Sequence, residues 1–428
     1  MVTRARAQYS YITNNGSIII TGYTNVGAFA ILTPSFINGL PVVAIGDKAF
    51  ATNQTLTSVG IQGNVTNIGE GVFLGCSNLS TVGFPSTVVS MGGAEFKGCT
   101  NLMFLNLPPN LSTIGSNFFA TCTALQTIAI PASLTNLEDA AFIDCSNLTT
   151  VYLSNGLARI GNFAFERCAR LPSISMPSSV NNLGDSVFQD CTNLSSVSLS
   201  TSLTSIPNNT FFDCVRLSAI SIPDSVTSIG VYAFFDCVRL TNIVIPPHVT
   251  SISDGTFGGS GLSKVSFPVG LTSIGNQSFV FCNQLSSIVI PNTVTSLAPT
   301  AFGGCLNLRS VFFAGNAPGP GTDTTVFSSD PAVAYYLPGT TGWGPTFDGI
   351  PAVLWNPQAV SFLQTNGQFG FNISGPSNVT VVIEATPDLS NPAWQPISTN
   401  ALDGNGASIF LAPGPGTYPN RFYRLRSP

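Results

Sequence analysis

Ten cysteines are the residues of this chain whose type and spacing could most readily do chemistry. Eight recur every 23 residues from Cys76 to Cys237, and Cys282 and Cys305 follow. Such an array could form disulfides, ligate a metal or carry redox chemistry. Metal sites, however, use clustered pairs such as C-x-x-C, and parallel Cβ vectors on stacked coils disfavour the disulfide torsion. We therefore favour a column of small, buried, unpaired thiols.

Acid–base groups are few and isolated. His248 is the single histidine and follows Pro246-Pro247 in a turn, while Glu138 and Asp139 adjoin each other in another turn. General acid–base catalysis needs two carboxylates at a set separation, or a histidine beside a nucleophile. The chain also lacks H-E-x-x-H, G-x-S-x-G and a glycine-rich phosphate loop. The sequence predicts no enzyme, with no catalytic residue, no cofactor and no metal.

Polar residues repeat beside the cysteines. Asparagines stand two residues after the cysteine position in five repeats: Asn78, Asn101, Asn147, Asn193 and Asn307. Side chains of this kind commonly satisfy backbone groups at turns, which is the role we expect for them.

A charged strip runs through the same repeats. Its acids precede the cysteine and its bases stand two residues after it: Asp190, Asp213, Asp236, Arg170, Arg216 and Arg239. The strip is either a set of solvated ion pairs, each worth about 0–1 kcal/mol, or a surface for a partner.

The composition indicates what kind of structure positions these residues. Charged residues make up 8% of the 428 residues, while hydrophobic residues make up 44% and include 31 phenylalanines, so the chain can build a core. A net charge of −5 leaves no basic face for nucleic acid. No apolar run approaches the roughly 18 residues that a membrane-spanning helix needs.

A repeat of 23 residues governs most of the chain. Phenylalanines mark it, with one step of 22 after Phe257: Phe50, Phe73, Phe96, Phe119, Phe142, Phe165, Phe188, Phe211, Phe234, Phe257, Phe279 and Phe302. A leucine follows six residues later in all but one unit, and the missing residue falls within Gly258–Gly261. Twelve such units predict a repeat architecture whose core forms only when the units stack.

Each unit reads F-x-x-C-x-x-L-x-x-[VIL]-x-[ILFM], usually followed by proline. The alternation after the leucine predicts a short strand with one buried face, and the proline ends its pairing. Gly, Ser and Asn then form a turn, and the phenylalanine fills the next corner. At about 4.8 Å per stacked strand, twelve coils give a solenoid about 60 Å long.

Residues 226–246, VTSIGVYAFFDCVRLTNIVIP, carry a resemblance to a known family. This string resembles the coil of BspA-type leucine-rich repeats, a class of bacterial surface proteins, and the resemblance covers residues 38–313. It implies a right-handed solenoid of about 12 coils with a parallel sheet on one face and short helical or irregular turns. It also implies a protein that lies outside the cell or on its surface.

The flanking segments differ from the repeats. Residues 1–37 hold a basic start, in which Ala5-Arg6-Ala7 has the shape of a signal-peptidase site, so we expect a signal peptide truncated before Gln8. Alternating residues on either side of Asn15-Gly16 predict a β-hairpin that caps the stack. Residues 314–357 are interpreted as a C-terminal cap and 358–428 as a small, all-β, sandwich-like module.

Binding is expected on the face where strand residues point outward. Most are Ser, Thr or Gly, so the larger ones are the candidate contacts with a ligand: Phe104, Asn106, Tyr152, Asn242, Lys264 and Phe312. Their orientation follows from the two-residue period of a strand.

These features predict a non-catalytic extracellular or cell-surface protein that binds a protein or a polysaccharide, as the resemblance to an adhesive class implies. The alternative is a structural, self-associating component of the cell envelope, since uncharged faces favour association. A third hypothesis places carbohydrate binding in the C-terminal module, on Trp394 and Tyr418. The sequence leaves the oligomeric state open.

Overall fold

The computed structural model describes residues 8–24, 27–365, 368–377, 379–412 and 421–426. It is mainly β, with a solenoid of about 14 turns followed by antiparallel sheets, which confirms the predicted repeat solenoid. No helix forms in the described residues, so none of them builds a membrane-spanning helix. The Ala5-Arg6-Ala7 motif and Tyr418 lie outside the described residues.

One side of the solenoid is a parallel sheet, here called sheet 1, built mostly from three-residue strands. Its strands are Ala30–Leu32, Ser58–Gly60, Thr81–Gly83, Thr127–Ala129, Thr150–Tyr152, Ser173–Ser175, Ser196–Ser198, Asn242–Val244, Lys264–Ser266, Ser287–Ile290, Ser310–Phe313, Val333–Tyr336 and Ile350–Leu354. Pairing is interrupted at several coils, among them residues 103–107, where only the bridge between Phe104 and Thr127 forms, and residues 218–222. Sheet 1 is therefore a series of short ladders.

A second parallel sheet follows each proline and turn, and its strands are mostly two residues long. They are Leu40–Ile45, Asn67–Ile68, Ser90–Met91, Asn136–Leu137, Arg159–Ile160, Asn182–Leu183, Ser205–Ile206, Ser228–Ile229, Ser251–Ile252, Ser273–Ile274 and Ser296–Leu297. Equivalent residues stand in register, as Arg159 does with Asn136 and with Asn182. The period of 23 residues thus becomes one turn of the solenoid.

The predicted phenylalanine column forms the third side and fills the core. Neighbouring rings lie 5.2–5.6 Å apart between centroids and are nearly parallel along the column. The ring of Phe327 stacks on that of Phe302 and adds one ring to the column that the 23-residue spacing did not reveal. The strands Val333–Tyr336 and Ile350–Leu354 likewise extend sheet 1 in parallel past residue 313. The segment 314–357 therefore adds to the stack.

Each corner turns through residues with left-handed backbone. Positive φ recurs two residues before and two residues after the phenylalanine, as at Ala140 (φ 56°) and Asp144 (φ 59°) around Phe142. Asp190, Asp213 and Asp236 occupy the later position. Aspartate tolerates this conformation better than most residues, so backbone geometry accounts for the acidic column.

The asparagine column has the role expected of it. The Nδ2 atoms of four asparagines donate to a backbone carbonyl of the preceding coil, at 2.6–3.3 Å: Asn78, Asn147, Asn193 and Asn307. Asn101 donates instead to Oδ1 of Asn78. These amides link successive coils at the surface of the corner.

Elements of another kind flank the stack. Strands Tyr9–Asn14 and Ser17–Tyr23 form a hairpin around Asn15 and Gly16, both at positive φ, and Phe36–Ile37 pairs with Leu40–Ile45. At the other end Thr346–Phe347 pairs antiparallel with Ile350–Leu354. The last residues form two antiparallel sheets, whose strands are Gln358–Thr365, Gln368–Ser374 and Ala407–Leu411, and then Gln395–Ala401, Thr380–Thr386 and Phe422–Arg426.

Candidate functional site

The solvent side of sheet 1, called the outer face here, is built by residues that flank the buried centre of each strand. In the strand Ser173–Ser175, Ile174 is buried and both serines are exposed, because successive side chains point to opposite sides. Most outer positions in the middle coils hold Ser, Thr or another small residue. The few large side chains therefore stand on a flat surface.

Phe104 and Tyr152 are two of these large side chains, 60% and 62% exposed. Thr127 pairs with Phe104, and Ala129 of the same strand pairs with Tyr152. The two rings thus lie in neighbouring columns, two coils or about 10 Å apart along the axis. Asn106 is also exposed. The structure places all three on one face but does not bring the two rings into contact.

Asn242 and Lys264 are brought together, because the register of their strands sets them opposite each other. A cleft of about 460 Å³ lies beside this pair, where sheet 1 is interrupted, and Val244, Ile220 and Asp224 also line it. Val244 is 70% exposed. An amide, an ammonium group, a carboxylate and apolar groups in one cleft can hold a polar or charged ligand group.

The prediction that Phe312 is an exposed contact is wrong, because only 3% of the residue is exposed. Its ring stacks on Tyr335 with 5.3 Å between centroids. Trp355 and residues of the C-terminal module, among them Phe371 and Phe410, belong to the same buried cluster. Phe312 does point away from the solenoid core, but the module covers it.

Sequence reasoning missed this cover, because the 23-residue spacing ends after Phe313 and so did not align Tyr335 and Val353 with Phe312. The register aligns one column of apolar residues at successive outer positions: Val289, Phe312, Tyr335 and Val353. The corresponding outer positions of middle coils hold Ser175 and Ser198. An uninterrupted apolar column on the outer side indicates that something packs there, whereas Phe312 considered singly resembled an isolated exposed residue.

The ten cysteines are buried and free. Each thiol donates to the carbonyl of a phenylalanine in the preceding coil, as Cys145 Sγ does to Phe119 O at 3.1 Å. Burial raises the pKa of every one of these thiols, that of Cys76 to about 11. The protonated thiol is a poor nucleophile and a poor metal ligand, so these side chains serve the fold.

The remaining candidates for chemistry are held at the surface. Glu138 and Asp139 both pair with Arg159, at 3.1 and 3.2 Å, and His248 is exposed. In the part of the chain that the structure describes, no three His, Cys, Asp or Glu side chains gather as a metal site would require. Trp394 lies under the guanidinium of Arg424, 4.5 Å from the ring centroid, so that face of the indole is occupied.

Several solved structures similar to this chain are leucine-rich proteins of bacteria. The Treponema pallidum leucine-rich repeat protein TpLRR is 28% identical, with a TM-score of 0.39, over 55% of this chain and 88% of that one. A leucine-rich cell-surface protein of Faecalibacterium prausnitzii is 25% identical, with a TM-score of 0.49, over 77% and 93%. The pneumococcal vaccine antigen PcpA is 15% identical, with a TM-score of 0.50, over 81% and 96%, which is a likeness of fold alone.

No curated protein sequence matches the chain significantly. The sequence model of the BspA type leucine-rich repeat region matches residues 36–149, 112–238 and 204–319, in six copies. These overlapping matches cover well over half of the chain and coincide with the coils of the solenoid. The chain therefore belongs to the BspA-type leucine-rich repeat family.

Proposed function

We propose that this protein is a non-catalytic binding protein, outside the cell or on its surface, whose outer face contacts a protein or glycan. The observation that carries the proposal is the exposure of Phe104 and Tyr152 on the outer face. Large rings that stay uncovered beside small hydroxyl residues lose little conformational entropy when a partner covers them. Membership of a solenoid family supports the same conclusion, because repeats of this kind create extended binding surfaces.

The cleft at Asn242 and Lys264 supports the proposal from a second place on the same face. Lys264 supplies a positive charge, and Asp224 supplies a negative one across the cleft. These groups select a partner by charge and hydrogen bonding, while the two rings supply apolar contact area. A ligand that reaches from Phe104 to Lys264 would span seven coil steps, about 34 Å along the axis.

The test measures binding of the full chain to an array of matrix proteins and polysaccharides. A Phe104→Ala/Tyr152→Ala variant should lose at least tenfold in affinity for any partner of the outer face. The matched control is Phe281→Ala, because Phe281 is also 60% exposed but lies in a corner and not on sheet 1. Equal binding by the double variant and the natural chain would contradict this site.

One observation favours the alternative, a self-associating component of the cell envelope. Near the N-terminal end of sheet 1, Phe29, Leu32 and Phe36 are 68%, 66% and 62% exposed. Exposed apolar residues close together favour association. Light scattering that rises with protein concentration, without added ligand, and falls in a Leu32→Ser/Phe36→Ser variant would support this function. A monomer at all concentrations would exclude it.

A further inference from the structure

Three arginines form a row along the flank of the solenoid. Arg170, Arg216 and Arg239 each stand two residues after a cysteine, at the position that asparagine fills in other coils. All three are exposed. Arg170 and Arg216 are two coils apart and Arg216 and Arg239 one coil apart, which is about 10 and 5 Å along the axis.

Two arginines of the row border a shallow, open cleft of about 570 Å³, one coil away from Arg239. Arg170 and Arg216 line it together with Asn193, which lies between them in the same column, and with small residues: Thr149, Ala169, Thr192 and Val215. Nη1 of Arg216 donates to Oδ1 of Asn193 at 2.6 Å, while Nδ2 of Asn193 donates to the carbonyl of Arg170 at 3.3 Å. These bonds fix one guanidinium and leave its other donors free.

The arginines are not neutralised by the acidic column beside them. Among the described residues, no salt bridge involves Arg170, Arg216 or Arg239. Arg167 instead contacts Asp144 and Asp190, at 3.7 and 3.6 Å. The pKa of Asp213 is raised by burial and by the charges of Asp190 and Asp236, with no guanidinium lowering it. The three exposed guanidinium groups therefore keep their charges available to a ligand.

We propose that this arginine row binds an acidic polysaccharide that runs along the solenoid axis. Guanidinium groups bind carboxylate and sulfate in a two-pronged geometry, and charges 5–10 Å apart suit a polymer with one acidic group every sugar or two. Nucleic acid carries a charge about every 1.7 Å, which three arginines in a chain of net charge −5 would match poorly. The cleft is shallow and open, and the hydroxyl groups of Thr149 and Thr192 line it beside the two arginines.

This inference rests on the proposed function only in taking the protein to be a binding protein, since the row lies beside the outer face and not on it. The test immobilises heparin and polygalacturonate and measures binding of the full chain at low and high salt. The variant is Arg170→Gln/Arg216→Gln/Arg239→Gln. Its control, Lys48→Gln/Lys97→Gln/Arg309→Gln, removes the same charge from exposed positions elsewhere.

We expect the natural chain and the control to bind at least one polysaccharide, with affinity that falls as salt rises, and the arginine variant to bind at least tenfold more weakly. Thermal unfolding checks that the variant is folded. Equal weakening in the control would mean that only net charge matters and would overturn the proposal. Binding to polyglutamate and to neither polysaccharide would overturn the class of ligand. Loss of polysaccharide binding in the Phe104→Ala/Tyr152→Ala variant alone would place the polysaccharide on the outer face.

Discussion

The outer face has two regions with the same backbone and opposite surroundings. In the middle coils its positions hold serines such as Ser175 and Ser198, and they are exposed. In the last coils the equivalent positions hold Phe312 and Tyr335, and the C-terminal module buries them. The type of side chain at this position therefore differs between the covered and the uncovered part of the sheet. An apolar residue there is a candidate contact only where the sheet is uncovered.

The largest effect on the free energy of unfolding is expected on the buried side of the coil. Phe188 is fully buried between Phe165 and Phe211, with centroids at 5.6 Å on both sides. Phe188→Ala should cost about 3–5 kcal/mol in free energy of unfolding, because it leaves a cavity in a continuous column. Denaturation in guanidinium measures the loss. A cost below about 1 kcal/mol would mean that the column is not the core.

Covered and uncovered aromatics should differ strongly. Phe312→Ala should cost about 3 kcal/mol, since the ring packs against Tyr335 in a buried cluster. The loss of packing should also make the module more sensitive to limited proteolysis. Unchanged stability together with unchanged proteolysis would show that the module does not depend on this face.

Glu95 is the opposite of an exposed aromatic residue, because it is a polar side chain that points into the core. Glu95 is fully buried; its Oε2 accepts from the amide of Val72 at 3.2 Å, and its Oε1 lacks a partner among the described residues. Burial raises the pKa of Glu95 well above its usual value. At pH 7 we expect Glu95→Gln to stabilise the protein, because the amide is neutral in both states, whereas the carboxyl must either take up a proton on folding or be buried with its charge.

The pH dependence follows from the sign of that shift. A raised folded-state pKa gives stability below the unfolded-state pKa of about 4.3, and that stability is lost as pH rises through the folded-state value. The advantage of Glu95→Gln should therefore be near zero or negative at pH 4 and grow towards pH 7. Thermal unfolding of both proteins across this range measures it, and an advantage independent of pH would contradict the assignment.

At the exposed end of the comparison, Phe104→Ala should change the free energy of unfolding by less than about 0.5 kcal/mol. Phe104 is 60% exposed and its pairing with Thr127 is a single bridge. The same substitution should reduce the affinity for a partner, so at this residue the effect on binding should be large while the effect on stability is small. A stability loss similar to that of Phe312→Ala would show that Phe104 is covered in solution.

The smallest expected effect is on the thiols, where we expect none. All ten are buried, so alkylating reagents should label them only after denaturation. Mass spectrometry of protein treated before and after unfolding counts the labelled cysteines. Rapid labelling of the native protein would mean that the corners open.

The repeat made much of this structure predictable, because equivalent residues contact only their neighbours in the stack. The roles of Phe188, Cys145 and Asn147 follow from the spacing, since each repeats a contact made by equivalent residues in other coils. The cover over Phe312 could not be derived in that way. It depends on a module without the repeat, whose strands pack against the solenoid through contacts that no periodicity encodes.

The sequence predicted where the repeated corner residues lie, but it did not predict why aspartate occupies these positions. Asp190, Asp213 and Asp236 were expected to belong to a charged strip, yet all three stand where the backbone is left-handed. Arg170 and Arg216 stand in the same group of repeats as these aspartates, but in the structure they line a cleft that the aspartates do not line. Sequence spacing gives the order of such side chains around a corner, whereas their directions depend on backbone angles.

The thiol-to-carbonyl bonds and ring stacks join each coil only to the next one, and this has a mechanical consequence. Under tension applied at one end, the outermost coil can detach while all others keep their contacts. Each detached coil frees 23 residues, or roughly 80 Å of extended chain. Unfolding from one end would therefore release the chain in steps of about one coil and leave the remaining surface intact.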